Sequence, residues 1–311
     1  MVRIGVSCGD PAGIGPEIIY KTFKSLHLSS EVKVYLVGEK RCFLNQGYDI
    51  SKVKGIEFIE ERFLGKRKYK IGKESRLSGR AAYIYFHKCM VLLRKNFFDG
   101  VVTAPVSKKA INLSGINFRG HTEELEKFFK KNTVMLMSSS QLKTSLFTRH
   151  IPLSKVPTQI KRERIEEHIR ILVEDLKQMY RISFPRIGVC ALNPHGGEKG
   201  IFGKEDETLA RILKELKYKN LYGPFPSDTL FLQREKYDCI VSLYHDQGMI
   251  PFKMLSFQNG CNVTLGLGKV RTSPAHGVAF DIAGRNKALP DSFRFAFLEA
   301  VCLVKNLKRC R

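Results

Sequence analysis

Short apolar runs alternate with amphipathic stretches along most of the 311-residue chain. "VRIGVSCG" reads as a first strand and "GPEIIYKTFKSL" as the helix after it. "VKVYLVG" reads as a second strand. "GRAAYIYFHKCMVLLRKN" repeats its apolar positions at helical spacing, and "DGVVTAPV" then reads as a buried strand. "KTSLFTR" predicts another strand. Ile160 to Tyr180 predicts an amphipathic helix, with Ile165, Ile169, Leu172, Val173, Leu176 and Tyr180 on one face. "RIGVCALN" and "CIVSLYH" are unbroken apolar runs of strand length, as parallel strands covered on both faces require. The alternation predicts an α/β fold with a largely parallel sheet. Neither an internal repeat nor a low-complexity linker interrupts it.

Composition narrows the function classes. Apolar residues make up 43 % of the chain, enough for a sizeable core and against disorder. No stretch approaches the roughly 20 apolar residues that span a bilayer. The first apolar stretch is too short for a signal peptide and runs into Asp10 and Pro11, so a cytoplasmic location is expected. Eight cysteines form no Cys-x-x-Cys pair, and Cys190, Cys239 and Cys302 sit inside apolar runs, where a thiol is a small core residue. The charge is unusual: 53 lysines and arginines against 30 acidic residues leave +23. Such an excess fits nucleic acid or anionic substrates. The densest run is Arg62 to Arg76, yet the lysines spread along most of the chain with no nucleic-acid motif. Solvated lysine-rich faces and a phosphorylated small substrate are the preferred reading, and a basic nucleic-acid-binding protein is the alternative from a different class.

Three of the eight histidines share a setting. His150 ends "KTSLFTRH" before Ile151 and Pro152, His195 ends "IGVCALNPH" before Gly196 and Gly197, and His245 ends "CIVSLYH" before Asp246. Each falls at the carboxyl end of a predicted strand, where parallel α/β sheets place their ligand crevice. Three imidazoles meeting there would satisfy a divalent metal with positions left open for substrate. A single histidine at a strand end is more often an ordinary polar cap; three in equivalent places weaken that reading. His168 and His87, on predicted helices, read as structural. Asp246 would face away from His245 on a continuing strand, but Gly248 suggests a turn that brings both toward the crevice. Asp246 is then a base, a group orienting an imidazole, or a turn former.

Glycine-rich segments supply further candidates. "CGDPAGIGPEI" joins the first strand to a helix, with Pro16 suited to a first turn, but it lacks the dinucleotide pattern of glycines. In "FRGHTEELEKFF", Thr122 reads as a helix N-cap, with Glu123 and Glu124 at the positive helix end. "TAPVSKKA" places Lys108 after a strand, within reach of a crevice. "NVTLGLGKVRTSPAHGVAFDIAGRNKA" packs Asn262, Lys269, Arg271, His276 and Asp281 among small residues and reads as a binding loop.

Taken together, "GDPAGIGPEI", "TAPVSK", "GHTE", "LNPHGGE", "PSDTLF", "YHDQGMIPFK", "NVTLGLGKVRTSPAHG" and "DIAGRNKA" resemble the 4-hydroxythreonine-4-phosphate dehydrogenases of vitamin B6 biosynthesis, in order and from Gly9 to about Ala288. "HGVAFDIAG" also resembles the cofactor loop of isocitrate and isopropylmalate dehydrogenases, whose fold that family shares. The resemblance implies two α/β subdomains on a largely parallel, mixed sheet, with the active site in the cleft between them. The chain would cross between them near 125 and 255, giving a cofactor-binding domain of 1–125 plus 255–311 and a metal-binding and dimerisation domain of 126–254. It implies oxidation of 4-phosphooxy-L-threonine by NAD or NADP, then loss of CO₂ to give 3-amino-2-oxopropyl phosphate. It implies a homodimer with the active site at the interface, and one divalent metal ion (Zn, Mg or Co) held by His150, His195 and His245. Its substrate contacts fall on His121, Thr122, Lys253, Asn262 and Arg271, and its cofactor loop on His276, Gly277 and Asp281. Leu289 replaces an asparagine of the isopropylmalate-type motif, so adenine contacts would differ. Asp246, Asp228 and Lys108 are candidates for the base. Sister enzymes acting on 4-phospho-D-erythronate or D-threonate share the motifs, and a metal-dependent hydrolase could use the same histidines.

Overall fold

Local signals fix the first half of the chain, and the structure, a computed structural model, describes residues 1–309. Strand β1 (Val2–Ser7) leads into helix α1 (Gly15–Ser25), which has Pro16 in its first turn, where a missing N–H costs nothing. Strand β2 (Val32–Gly38), helix α2 (Lys40–Leu44) and strand β3 (Ile56–Glu60) follow. Helix α3 (Arg76–Arg94) starts where Ser75 Oγ accepts from the Ser78 N–H at 3.0 Å, and its buried face is the helical repeat read from sequence. After β4 (Gly100–Thr103), Ser107 caps α4 (Lys108–Leu113) in the same way, through the Ala110 N–H at 3.1 Å. Helix α5 (His121–Phe129) closes this half.

The second half contains strands β5 (Val134–Ser139) and β6 (Lys143–Leu146), helix α6 (Arg162–Gln178), strand β7 (Ile187–Cys190) and helix α7 (Glu205–Glu215). Strand β8 (Leu221–Phe225), helix α8 (Ser227–Leu232), strand β9 (Cys239–Ser242) and helix α9 (His245–Ser256) come next. Strands β10 (Gly260–Leu265) and β11 (Val270–Pro274) and helix α10 (Asp291–Arg309) complete the described chain.

These strands form one sheet in the order β3-β2-β1-β4-β11-β10-β5-β6-β9-β7-β8. The pairs β10 with β11, β10 with β5, and β5 with β6 are antiparallel, and the others are parallel. The fold is therefore α/β with a large, mostly parallel, mixed sheet. Strands from the outer parts of the chain occupy one run of the sheet, and β5 to β9 occupy the other. They meet where β10 pairs with β5 from Gly260 to Leu265. β4, β7 and β9 are buried at every position, which is why their sequences are unbroken apolar runs. No helix among the described residues is long and apolar enough to cross a membrane.

Two expectations need correction here. The segment from Asn262 is not one loop: β10 and β11 form a hairpin, and the loop begins only after Pro274. Gly266 (φ +88°) and Gly268 (φ +65°) make its turn, in a backbone region that favours glycine, and these glycines gave the segment its loop-like look. Thr122 is not the N-cap of α5; the cap position is Gly120, with no side chain, and Thr122 lies buried in the first turn.

His168 sits in the core, with Nε2 3.0 Å from Ser145 Oγ on β6. Burial, and then Arg149 and Arg164, push its pKa down to about 3. Unfolded, it titrates near pH 6.5. The unfolded chain thus takes up the proton first, so this stability is complete above about pH 6.5 and drains away as pH falls toward 3. The difference in stability between about pH 7 and pH 5 should shrink by about 2 kcal/mol in His168→Gln. Parallel thermal melts of the two proteins at both pH values check this, and equal drops would refute it.

Candidate active site

Three neighbouring parallel strands, β6, β9 and β7, end side by side, and each is followed by one of the three histidines. None of the three belongs to its strand. His150 lies in the loop after β6, His195 in the turn after β7, and His245 is the first residue of α9. The chain leaves β9 and turns at Tyr244 into a helix, so His245 and Asp246 are successive helical residues rather than opposite faces of a strand. Asp246 Oδ1 lies 2.6 Å from His245 Nδ1, so the carboxylate faces its neighbouring imidazole.

His150 and His245 come together, with ring centroids 5.8 Å apart. Each ring has its Nδ1 next to a carboxylate: Asp246 for His245, and Glu123 Oε1 at 3.5 Å for His150. That leaves Nε2 as the nitrogen of each ring not engaged by these carboxylates, the arrangement in which carboxylates orient metal-binding imidazoles. His195 is exposed, beside Phe202, on a turn in which His195 through Lys199 all have positive φ. The Asp206 carboxylate fixes the base of that turn by accepting from the N–H groups of Leu192 (2.6 Å) and Asn193 (3.0 Å). Among the described residues, no group of three or more His, Cys, Asp or Glu side chains is placed to hold a metal ion. One chain therefore brings together two of the three predicted arms.

Facing them is a set of side chains from β10, β11, β4 and α5. Arg271 on β11 is 1 % exposed. Its Nε and one terminal nitrogen donate to Thr103 Oγ1 (3.1 and 2.6 Å), and the other donates to Thr264 Oγ1 (3.1 Å). No carboxylate pairs with it among the described residues. Burial pushes its pKa down to about 9, opposed by Cys261 and Glu123. His121 is held well below the usual histidine range by burial, then by Arg271 and Lys108. His121 Nε2, Glu123 Oε2 and Asn262 Oδ1 are all shielded from solvent and without a hydrogen-bond partner. Buried polar atoms are normally satisfied, so such a group of orphans marks a place for a polar ligand. Lys108 and Lys253 are exposed on the first turn of α4 and on α9. Asp228 is exposed on α8, with Oδ1 3.4 Å from the Thr229 hydroxyl.

The loop after β11 packs on the loop after β1, with the Ile14 N–H donating to Val278 O at 3.0 Å. His276 is half-buried there; its Nδ1 lies 3.0 Å from Gly277 O and its Nε2 has no partner. Gly277 is exposed with open space around it, and Asp281 and Leu289 are exposed. Sequence reasoning passed over two residues here. Asp10 is fully buried, accepts from the Ala12 N–H at 2.9 Å, and is pushed up to about pKa 6 by burial. Glu123 looked like a helix-end charge, yet it reaches His150, whose hydrogen bond, against burial, holds its pKa down at about 2. Its place in "GHTE" was the available signal.

The fold and this site define an α/β protein with histidines, carboxylates and cations gathered at and beside the carboxyl ends of its strands. The model of the family described as "Pyridoxal phosphate biosynthetic protein PdxA" matches residues 20–300, and the chain belongs to that family. A 4-hydroxythreonine-4-phosphate dehydrogenase from Aquifex aeolicus is 36 % identical over 98 % of both chains. A candidate D-threonate 4-phosphate dehydrogenase from Oceanobacillus iheyensis is also 36 % identical, over 91 % of this chain and 92 % of its own. The crystal structure of the 4-hydroxythreonine-4-phosphate dehydrogenase of Klebsiella pneumoniae superposes with a TM-score of 0.85 at 32 % identity, covering 97 % of this chain and 98 % of that one. A β-decarboxylating dehydrogenase from Thermococcus kodakarensis, 18 % identical, shares the fold at a TM-score of 0.51 over 99 % of this chain and 84 % of that one.

Proposed function

We propose that this protein is a dehydrogenase that oxidises 4-phosphooxy-L-threonine at its C3 hydroxyl, with NAD or NADP and one divalent metal ion, in pyridoxal 5'-phosphate biosynthesis. The observation that supports this reading is the buried, carboxylate-free Arg271, which acts electrostatically on His121 and Glu123, together with the orphaned polar atoms of His121, Glu123 and Asn262. An anionic ligand supplies the charge partner that Arg271 lacks, and donor groups on the same ligand would satisfy the orphaned acceptors Asn262 Oδ1 and Glu123 Oε2.

Arg271, His121, Thr122, Asn262 and Lys253 would anchor the phosphate and carboxylate of the substrate. His276, Gly277 and Asp281 line the loop proposed for the cofactor, and a bound nicotinamide would accept the hydride from C3. His150 and His245 would hold a shared divalent ion through their Nε2 atoms, and that ion would act as a Lewis acid on the C3 hydroxyl. Among the base candidates, Asp246 is engaged with His245, and Asp228 lies exposed beside Thr229. Lys108, next to Gly120 and acting electrostatically on His121, is the one we retain for the hydroxyl proton. The product, 2-amino-3-oxo-4-phosphooxybutanoate, is a β-keto acid. It loses CO₂ as its electron pair passes into the C3 carbonyl, and a proton returns to C2, giving 3-amino-2-oxopropyl phosphate.

We divide the chain into a cofactor domain of 1–125 plus 255–311 and a metal domain of 126–254, a division supported by how the strands sort along the sheet. We also propose a homodimer with the cleft at its interface. Ile250 and Met254 on α9 and Phe257 just past its end form an exposed apolar stripe, 58, 81 and 63 % exposed, along the helix that begins at His245. In this dimer the third imidazole, His195, reaches the pair across the interface.

The test is reduction of NAD and of NADP by the purified protein, with Zn²⁺, Mg²⁺ or Co²⁺, on 4-phosphooxy-L-threonine and, for comparison, on 4-phospho-D-erythronate and 4-phospho-D-threonate. The reading expects the highest kcat/KM on the amino acid. A higher value on either sugar acid would move the protein to the sister activity. No reduction on any of the three would favour the hydrolase or nucleic-acid readings.

A further inference from the structure

Gln247 follows the His245–Asp246 pair directly, and nothing in the proposed reaction has yet used it. It is buried, with its amide oxygen and its amide nitrogen both engaged. The paired register of β7 and β9 ends at Val189 with Val241, and the Gln247 side chain bridges the two segments beyond that pair. Its Oε1 accepts from the Leu243 N–H at 2.6 Å, and its Nε2 donates to Ala191 O at 2.7 Å. The same Nε2 donates to Ser227 Oγ at 2.7 Å, at the start of α8. The carbonyl of Leu243 in turn accepts from Thr148, through its N–H at 3.2 Å and its hydroxyl at 2.6 Å. One run of hydrogen bonds therefore crosses the ends of β6, β9 and β7, through Thr148, Leu243, Gln247 and Ala191. Thr148 lies two residues before His150, Leu243 two before His245, and Ala191 four before His195.

A glutamine amide joins an acceptor and two donors in one rigid group. An aliphatic side chain of the same size would leave the Leu243 N–H and the Ala191 carbonyl without their partner. The turn that carries His195 is held on one side by Asp206 of α7, which accepts from the Leu192 and Asn193 N–H groups. Gln247 holds it on the other, and only Gln247 ties it to the helix that carries His245. Groups behind metal-binding side chains set where those side chains point, and a backbone bond that fixes the carrier does the same. We propose that Gln247 is a positioning residue of the metal site. It sets the His195 turn against the His245 helix and, through Leu243, against the His150 loop. This rests on the reading of the three imidazoles as metal ligands, and it holds whether His195 completes the site of its own chain or that of its dimer partner.

The experiment compares wild type with Gln247→Met, which keeps the volume and removes all three bonds, and with Gln247→Glu, which keeps the shape and the acceptor for the Leu243 N–H. Calorimetry measures Zn²⁺ affinity, the visible absorption of the Co²⁺-loaded protein reads the coordination geometry, and thermal melts with circular dichroism report the fold. Gln247→Met should weaken Zn²⁺ by about 10- to 100-fold and alter the Co²⁺ spectrum, and Gln247→Glu should recover part of the loss. On 4-phosphooxy-L-threonine at saturating metal, kcat should fall while KM stays within about threefold, because Arg271, His121 and Asn262 lie on other elements. A role confined to the fold would lower the melting temperature and leave the folded variants with the Zn²⁺ affinity and Co²⁺ spectrum of wild type. That result would overturn the proposal and leave the metal reading standing. If Gln247→Met does not fold, Gln247→Glu against wild type decides: a Zn²⁺ loss of about 3- to 10-fold sustains the proposal, and equal affinity overturns it. Zn²⁺ binding by wild type that His195→Ala and His245→Ala both leave unchanged, or no Zn²⁺ binding at all, would remove the metal reading and this proposal with it.

Discussion

Arg271→Met is expected to leave the protein folded and close to wild type in heat stability, while kcat/KM on the phosphorylated substrate falls by roughly a thousandfold. The two effects separate because the guanidinium contributes little to the fold. It is 1 % exposed and bonded only to the hydroxyls of Thr103 and Thr264. A cation taken from water without a carboxylate partner carries a desolvation cost that three hydrogen bonds to neutral hydroxyls do not cover. Methionine removes that cost, fills much of the same volume and adapts to irregular gaps. The two threonine hydroxyls lose a donor, at about 1 kcal/mol each, which offsets part of the gain. The ligand has no such compensation. Two charge-assisted bonds to an anion amount to about 4 kcal/mol, and each 1.4 kcal/mol is tenfold. Thermal melts and steady-state kinetics on the same preparations check both halves. Arg271→Lys keeps the charge but loses the planar fork, so it should fall between the two. A destabilised Arg271→Met protein with normal kinetics when folded would make Arg271 a structural clamp rather than an anchor.

The sequence displayed the parts of this molecule whose physical cause is local. β7 and β9 are covered on both faces, so their runs are continuously apolar, and α6 repeats every 3.6 residues because one stripe faces the sheet. Of the strands that went unread, β5 carries a largely buried apolar run of its own from Val134 to Met137, and the rest are of other kinds. β3 and β8 alternate partly buried and exposed positions near the sheet edges, and β10 and β11 owe their strand character to pairing with each other and with β5 and β4. Pairing between distant segments leaves no periodic mark on either one. The same holds in the site. The three histidines were visible because each follows a recognisable strand. Glu123 was not, because its meaning depends on His150, which arrives from a strand beyond α5. Asp246 could be read three ways until the helical start at His245 placed its carboxylate against the neighbouring ring.

His245→Ala and His195→Ala are each expected to lose bound metal and at least about a thousandfold in turnover while remaining folded. Neither ring supports the core: His245 opens a helix at the surface of the cleft, and His195 is exposed on its turn. Circular dichroism should therefore match wild type, and elemental analysis should show the metal gone. Asp246→Asn should be milder, about 10- to 100-fold, because it only loosens the orientation of His245. Unchanged metal content and rate in His245→Ala would remove that residue from the metal set. The two inactive variants together test where the third arm comes from. In a twofold dimer each site is repeated, so a mixed dimer of the two variants redistributes the defects. With His195 contributed across the interface, a mixed dimer has one site missing both imidazoles and one site intact. Random reassociation of equal amounts would then restore about a quarter of the wild-type rate, since half the dimers are mixed and half their sites are whole. With all three histidines from one chain, every site in the mixture lacks a ligand and no activity returns. Refolding or subunit exchange followed by the nicotinamide assay distinguishes the two, and a silent mixture would place all three imidazoles within one protomer.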